Sequence, residues 1–414
     1  KTEFLWMTPH KIHAQLIDIY YIDVMDSIFD RIVDISLPPR QSAFLWGPRL
    51  VGKSTLLKQR FPRSLRFDFL KSDLYLELLR NPSLLRERIV AGLGTGTVDS
   101  SQPIILDEVQ KAPAVLDEVH WLIEERGCSF ILCGSSARKL KRGHANMLGG
   151  RAWRVEMRPL CAREIPDFNL LRAINNGLVP SHYLQESARK SHRAYLQDYL
   201  KEEIIAEGHT RNIPAFTRFT DILGFCNGEM IVYANIARDA GVDAKAVREY
   251  FQILSDTMIG TLITPFSRKG ERDIISETPK FYLFDVGLAQ FLSKTYIAEE
   301  RGTAFGHAFE HFIFMELHTH RLYSESDYSI SYWRTGSGLE VDFVLGSGQT
   351  AIEVKSGSVS SASDLKGLFR FVDDYSPSRA IVVTNETARR KMGPVDLVPW
   401  REFLDDLWAG KVVS

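Results

Sequence analysis

In the first third of the chain, short apolar runs alternate with helical patterns. Ser42-Ala-Phe-Leu-Trp46, Leu65-Arg-Phe-Asp-Phe69, Pro103-Ile-Ile-Leu-Asp107-Glu108 and Ser129-Phe-Ile-Leu-Cys133 read as short buried strands. Between them, Asp73 to Leu79 reads as a helix stopped by Asn81-Pro82, and Ala114 to Arg126 sets Val115, Val119, Leu122 and Ile123 on one face. Gly92 to Gln102, rich in Gly, Thr and Ser, reads as a loop. Strands alternating with helices predict an α/β fold with a parallel sheet.

The pattern then turns helical. Ser191 to Glu207 carries Tyr195, Leu196, Tyr199, Leu200, Ile204 and Ile205 at helical spacing, as an amphipathic connector would. Three helical patterns follow at Ala215 to Phe225, Ile231 to Ala240 and Ala244 to Met258, divided by Gly228 and Gly241. Two strands, Thr261 to Phe266 and Lys280 to Phe284, bracket a polar loop holding Arg268, Lys269 and Arg272. The glycine turn at Gly241 and the two strands predict a winged helix-turn-helix. In a DNA reader the second helix lies in the major groove, which would place Lys245 and Arg248 against DNA. Winged helices also act as lids and docking modules, and Asp243, Glu249, Glu271 and Asp273 dilute the positive field; both readings stand.

At 414 residues the chain is long for one core and predicts several domains. A net charge of -1 argues against a nucleic-acid coat or a membrane surface, so any polyanion site has to be a local patch. No run approaches a membrane span and no leader pattern opens the sequence. Cys128, Cys133, Cys161 and Cys226 show neither C-x-x-C pairing nor metal-finger spacing, which suits reduced thiols in a cytoplasm.

The sharpest chemistry lies at Gly47, Pro48, Arg49, Leu50, Val51, Gly52, Lys53, Ser54 and Thr55, which fit G-x-x-x-x-G-K-[ST] directly after a strand and before the apolar Leu56-Leu57. Glycines let successive N–H groups turn inward around phosphate oxygens, and the following helix adds positive potential. Lys53 would reach the β and γ phosphates and Ser54 would ligate magnesium. Asp107, ending an apolar strand, would join Ser54 on the ion, and Glu108 would polarise an attacking water. Ser135 or Ser136 follows the next strand as a γ-phosphate sensor, or as a small-residue turn. Arg138, Lys139, Lys141, Arg142, Arg151, Arg154, Arg158 and Arg163 stand against the single acid Glu156, either as a solvated face or as a source of a phosphate-directed arginine.

Gly47 to Thr55, Leu106-Asp-Glu-Val-Gln110, Gly134-Ser-Ser136 and Gly150-Arg151 with Arg158-Pro-Leu160 together resemble a prokaryotic family of AAA-type ATPases that carries a carboxy-terminal domain of formerly unknown function. The resemblance covers about residues 30 to 360. It implies ATP and Mg2+ as cofactors, a homo-oligomer as one state of assembly, and Arg151 as an arginine acting on nucleotide, in its own subunit or in a neighbour's.

Downstream, Gly306 to Leu317 is an apolar helix with Glu310 among Phe309, Phe312 and Ile313. Tyr332 to Thr335, Gly338 to Leu345 and Ala351 to Lys355 then form strands, with a turn at Gly346 to Gly348. Period two puts Glu353 and Lys355 on one face, opposite Ile352 and Val354, with Asp342 across the hairpin. Burying these charges together is costly unless they hold a cation or pair with one another. The arrangement resembles the PD-(D/E)XK nuclease superfamily, although Val341 stands where a proline often precedes the aspartate. That resemblance implies Asp342 and Glu353 as Mg2+ ligands, Lys355 as the group orienting water, and Glu310 completing the site. A Lys-Glu pair tying two strands, or a nuclease fold that binds without cutting, are the alternatives. A helix at Leu365 to Val372 and a strand at Ser378 to Thr384 complete the pattern.

The expected order is therefore an N-terminal segment (1–30), a P-loop ATPase domain (31–165), a helical connector (166–213), a winged helix-turn-helix (214–295) and an α/β restriction-endonuclease-like domain (296–414). The expected function is ATP hydrolysis whose nucleotide state controls a nucleic-acid-directed module, DNA ahead of RNA, ending in a metal-dependent nuclease. The rival is a nucleotide-gated regulatory or interaction protein with a silent C-terminal scaffold; remodelling of a protein substrate is a third.

Overall fold

The computed structural model of the chain describes residues 29–136, 148–200, 213–267 and 278–413, without 358 and 360. Arg138, Lys139, Lys141, Arg142, Ile204, Ile205, Arg268, Lys269, Glu271, Arg272 and Asp273 lie outside them. The first unit contains strands β1 (Ser42–Trp46), β2 (Arg66–Asp68), β3 (Ile104–Asp107), β4 (Phe130–Gly134) and β5 (Ala152–Glu156). Its helices are α1 (Lys53–Arg60), α2 (Ser72–Arg80), α3 (Ser83–Thr95) and α4 (Val115–Arg126). All strand pairs in this sheet are parallel, in the order β2-β3-β4-β1-β5. The strands are apolar on both sides, as a sheet covered by helices on two faces requires. Leu106 and Leu132 meet Val115, Val119 and Leu122 in one cluster, while Leu45, Ile105 and Ile131 meet Leu56 and Leu57 in another.

One expectation fails here. Ser83 to Thr95 is a helix, so the segment read as a loop from Gly92 begins inside it. Leu85 and Ile89 are buried, and Gly96 closes the helix in the left-handed region, its N–H reaching the carbonyls of Gly92 and Leu93. Burial of that apolar face outweighs the weak helix propensity of two glycines and a threonine.

The middle unit holds α5 (Leu170–Asn176), α6 (Pro180–Tyr183), α7 (Arg189–Ala194), α8 (Ile213–Leu223), α9 (Tyr233–Ala240) and α10 (Ala244–Asp256). The antiparallel pair β6 (Gly260–Ile263) and β7 (Lys280–Leu283) and helix α11 (Val286–Leu292) complete it. Gly241 lies between α9 and α10 at φ 67°, and the Asp243 carboxylate accepts from Ala246 N at 2.7 Å to cap α10. Phe219, Phe251 and Phe281 form its aromatic core.

The third unit begins with α12 (Thr303–Tyr323) and continues through β8 (Ile330–Arg334), β9 (Glu340–Leu345), β10 (Thr350–Lys355), α13 (Lys366–Tyr375), β11 (Arg379–Thr384), β12 (Arg390–Met392), β13 (Val395–Pro399) and α14 (Trp400–Trp408). Its sheet runs β12-β13-β11-β10-β9-β8, antiparallel from β8 to β10 and parallel from β10 through β11 to β13. Ile352 and Val354 pack with α12, whereas Ala351 packs with Leu368 and Phe371 of α13, the alternation expected of a sheet between two helical layers. The largest core joins units: Leu170 and Ile174 of α5, Tyr282 of β7 and Val286 of α11 pack with Phe305, Phe309 and Phe312 of α12. Among the described residues no helix is long and apolar enough to cross a membrane, and all four cysteines are buried and free.

The α5–α11 contact is tight. A Cβ at Gly287 would stand 2.1 Å from Gly177 N and 2.5 Å from Asn176 C, whereas one at Gly94 would meet nothing within 4 Å. Gly287→Ala is therefore expected to destabilise by about 1–3 kcal/mol and Gly94→Ala to stabilise by about 0.5–1 kcal/mol. Thermal unfolding of both variants checks this; an unchanged midpoint for Gly287→Ala would contradict the packing.

Candidate functional site

The loop after β1 lies at the carboxyl end of the parallel sheet. Gly47 is required by space, because a Cβ would stand 2.3 Å from the carbonyl oxygen of Met157, and Gly52 by backbone, at φ 95°. Lys53, only 7% exposed, turns its ammonium back onto the carbonyls of Gly47 and Pro48 at 2.7 and 2.8 Å. Burial lowers its pKa, partly offset by Cys133 and the charges of Glu108 and Asp107. Ser54 Oγ donates to Asp107 Oδ2 at 2.6 Å, so the hydroxyl and carboxylate expected on one ion are already adjacent. These hard oxygens suit magnesium.

Strand β4 lies between β1 and β3, so its exit residues flank both the loop and Glu108. Glu108 takes a left-handed conformation, φ 58°, at the end of β3. Its carboxylate accepts from Gln110 Nε2 at 2.5 Å, and the same amide nitrogen donates to Ser135 Oγ at 3.0 Å. Gln110 thus connects the water-directed carboxylate to the strand exit. Arg49, Leu50, Gly52, Lys53, Ser54, Thr55 and Glu108 line a cavity of about 520 Å³ that is closed by Phe29 and Arg31 on one side and Pro180 and Ser181 on another.

Arg151 is elsewhere. It precedes β5 beside Ser42, the first residue of β1, whereas Gly47 follows the other end of that strand. Four residues of strand separate Ser42 from Trp46, roughly 13 Å, and the Arg151 guanidinium pairs with Glu124 of α4. Arg151 does not reach the loop of its own chain.

Sequence reading missed Arg31. Its side chain is 5% exposed and donates to Glu164 Oε1 at 3.0 Å, Val51 O at 2.6 Å, Arg158 O at 2.7 Å and Tyr323 Oη at 3.2 Å. The available signal was Phe29-x-Arg31-x-Val33-x-Ile35, an alternation of buried positions with one occupied by arginine.

The second constellation forms around the β9–β10 hairpin. Asp342 Oδ2 accepts from Val354 N at 2.7 Å, and Lys355 Nζ lies 2.7 Å from Glu353 Oε1. Glu310 Oε1 accepts from Tyr282 Oη at 2.6 Å and lies 3.7 Å from Lys280 Nζ. Lys280 also pairs with Glu340, which pairs with Arg334 at 2.8 Å. Burial, with the charge of Glu310, pushes Asp342 up to about 7. Burial, with the charge of Asp342, pushes Glu353 up to about 8. Glu310, Asp342, Glu353 and Lys355 are thus brought together, with Lys280 and Tyr282 added from another unit. Among the described residues no group of three or more His, Cys, Asp or Glu is set to hold a metal ion.

A parallel sheet with this loop, Asp107 and Glu108 at its carboxyl end defines a P-loop AAA-type ATPase domain. Comparison with known families agrees: residues 39–166 match an AAA domain, residues 168–296 a domain of unknown function (DUF8612), and residues 305–403 a domain of unknown function (DUF4143). The chain is 27% identical over 333 residues to uncharacterized proteins of Mycobacterium tuberculosis and Mycobacterium bovis, covering 77% of this chain and 71% of each relative. It is 24% identical over 347 residues to an uncharacterized protein of Methanocaldococcus jannaschii, covering 77% and 75%. Among solved structures, the Orc1 protein of Aeropyrum pernix in complex with DNA aligns at 13% identity and TM-score 0.29, over 70% of this chain and 93% of that one. A signal transduction ATPase with numerous domains from Pyrococcus horikoshii aligns at 13% and 0.21, over 71% and 47%. At such TM-scores these two likenesses fix neither fold nor partner.

Helix α12 also carries a buried acid. Glu316 Oε1 accepts from Ala162 N at 2.7 Å, and burial, reinforced by Glu164, pushes its pKa up to about 8. The folded protein keeps this proton to about pH 8, whereas the unfolded chain loses it near the ordinary 4.5. The folded state binds more protons in that window, so this group removes stability as pH rises through it. Glu316→Gln is expected to flatten the fall in melting temperature between those pH values; an unchanged slope would place the titration elsewhere.

Proposed function

We propose that the chain is an ATP-hydrolysing switch whose nucleotide state controls the middle and C-terminal units. The observation that carries this is the 2.6 Å contact of Ser54 with Asp107 at the mouth of a closed cavity beside Lys53. Gly47 to Thr55 would hold the phosphates of ATP, and Ser54 and Asp107 would hold Mg2+, which supplies neutralisation of phosphate charge. Lys53 leaves the carbonyls of Gly47 and Pro48 to pair with phosphate. Glu108 orients water, held in place by Gln110. Arg151, out of reach of its own site, serves a neighbouring subunit. Control of the distant units is supported by Arg31, which ties the loop carbonyl of Val51 to Tyr323 at the end of α12, the helix bearing Glu310.

For the C-terminal unit the proposal is a nucleic-acid-directed module, DNA ahead of RNA. Support comes from the hairpin bearing Asp342, Glu353 and Lys355 and from Lys245 and Arg248, both exposed on α10. The carboxylates as arranged do not fit a metal ion, so no hydrolytic step is assigned to this conformation. A silent scaffold is the second reading, favoured by the internal pairing of Glu310 and Glu340 with Lys280.

Calorimetry and phosphate release test the switch. Lys53→Ala is expected to lose ATP binding, and Glu108→Gln to bind ATP while losing about 10²–10⁴-fold in turnover. Mixing Arg151→Ala with Lys53→Ala is expected to restore hydrolysis that neither has alone. Absence of ATP and ADP uptake by folded wild type would end the proposal, and absence of rescue would end the role of Arg151 across an interface.

A further inference from the structure

The acids of the C-terminal constellation and the cation that faces them come from different units. Glu310 belongs to α12, Asp342 and Glu340 to β9, and Glu353 to β10. Lys280 opens β7, which pairs with β6 and bridges to Asn227 and Met230 of the middle unit. Its side chain is 6% exposed, and its ammonium pairs with Glu340, lies 3.7 Å from Glu310 Oε1 and rests 5.4 Å from the ring centre of Tyr332. Two residues along the same strand, on the same face, Tyr282 donates to that oxygen of Glu310 at 2.6 Å. Glu353 Oε2 is buried without a hydrogen-bond partner. A carboxylate oxygen left bare in a buried acidic group is the mark of a missing cation, because isolating such an atom from water is costly.

We propose that Lys280 and Tyr282 form an autoinhibitory latch: the ammonium of one unit occupies the cation position of the other, and its withdrawal opens the carboxylates to a divalent ion. This rests on the reading of Glu310, Asp342 and Glu353 as a cation-binding group. A lysine satisfies the acids in part: it supplies one positive charge and three donors, where a divalent ion supplies two charges and accepts oxygens from several directions. With the latch closed, the donors of Glu310 are committed to β7, and Glu353 keeps only Lys355 as its partner.

The unit carrying the latch also touches the nucleotide domain. Ser136, at the exit of β4 next to Ser135, donates its hydroxyl to Asp256 O at 3.4 Å, at the last residue of α10. Helix α10 packs through Phe251 on Phe281, which lies between Lys280 and Tyr282 in β7. A shift of the β4 exit on nucleotide binding is thereby delivered to the strand that bears the latch.

The test uses the full chain without nucleotide and reads bound Mn2+ by electron paramagnetic resonance. Lys280→Met, which keeps the buried stem and removes the charge, is expected to bind an added Mn2+ about tenfold or more tighter than wild type. Adding Asp342→Asn is expected to abolish the gain. Lys280→Arg, which keeps the charge, is expected to match wild type. Tyr282→Phe keeps the ring and is expected to give a smaller gain, which keeps the test decisive if Lys280→Met misfolds. Folded Lys280→Met or Tyr282→Phe with wild-type Mn2+ affinity would overturn the latch. Tighter Mn2+ binding with no cleavage of plasmid or RNA supports the latch and sinks only the nuclease reading; cleavage by Lys280→Met without tighter Mn2+ binding sinks the latch and leaves nuclease activity standing.

Discussion

A guanidinium can be buried only if its donors are matched, and the placement of the nucleotide loop depends on how Arg31 meets that demand. Glu164 takes Nε at 3.0 Å while its carboxylate also accepts from Ile32 N at 2.9 Å and Cys161 N at 3.1 Å. The terminal nitrogens take Val51 O from the loop and Arg158 O from the segment leaving β5. Loss of one partner of such a buried pair costs about 3–5 kcal/mol, because the other charge is stranded. The constraint therefore holds the segment before β1, the loop, the exit of β5 and the end of α12 to one another. Four stretches distant in sequence share one charge.

The same logic explains why catalytic groups gather at one edge of the sheet. Parallel pairing puts the carboxyl ends of β1, β3 and β4 side by side, so the loop, Asp107 with Glu108, and Ser135 emerge together. Insertion of β4 between β1 and β3 leaves room for Gln110 to bond Glu108 and Ser135 at once. Arg151 belongs to the opposite edge by the same geometry. Parallel order thus decides which arginine can act within the chain and which can act only on another copy.

Legibility in the sequence followed how local each signal was. The loop and the carboxylates ending β3 were readable because strand, turn and chemistry are contiguous there. The hairpin placing Asp342 opposite the Glu353–Lys355 pair was readable because period two fixes faces. Helix α3 was not, since Gly92, Gly94 and Thr95 advertise a loop while its helix is held by Leu85 and Ile89 against the sheet core. Arg31 showed only as a charge on the buried phase of an alternation whose partners lie more than a hundred residues away. Lys280 read as the polar start of a strand, and nothing near it in sequence announces the acids it meets.

Lys280 and Arg31 solve one problem in opposite ways. Arg31 is rigidly matched, largely by backbone carbonyls that do not move relative to the fold, so its burial is structural. Lys280 faces carboxylates on α12 and β9, in a unit whose sheet is complete without β7, and leaves Glu353 Oε2 unmet. Withdrawal of a lysine lets ammonium and carboxylates regain water together, a far smaller penalty than stranding one charge inside a shared hydrogen-bond group. A fold that must transmit a nucleotide signal needs both kinds of contact: one that cannot break, so that movement is carried across the core, and one that can, so that movement has a consequence.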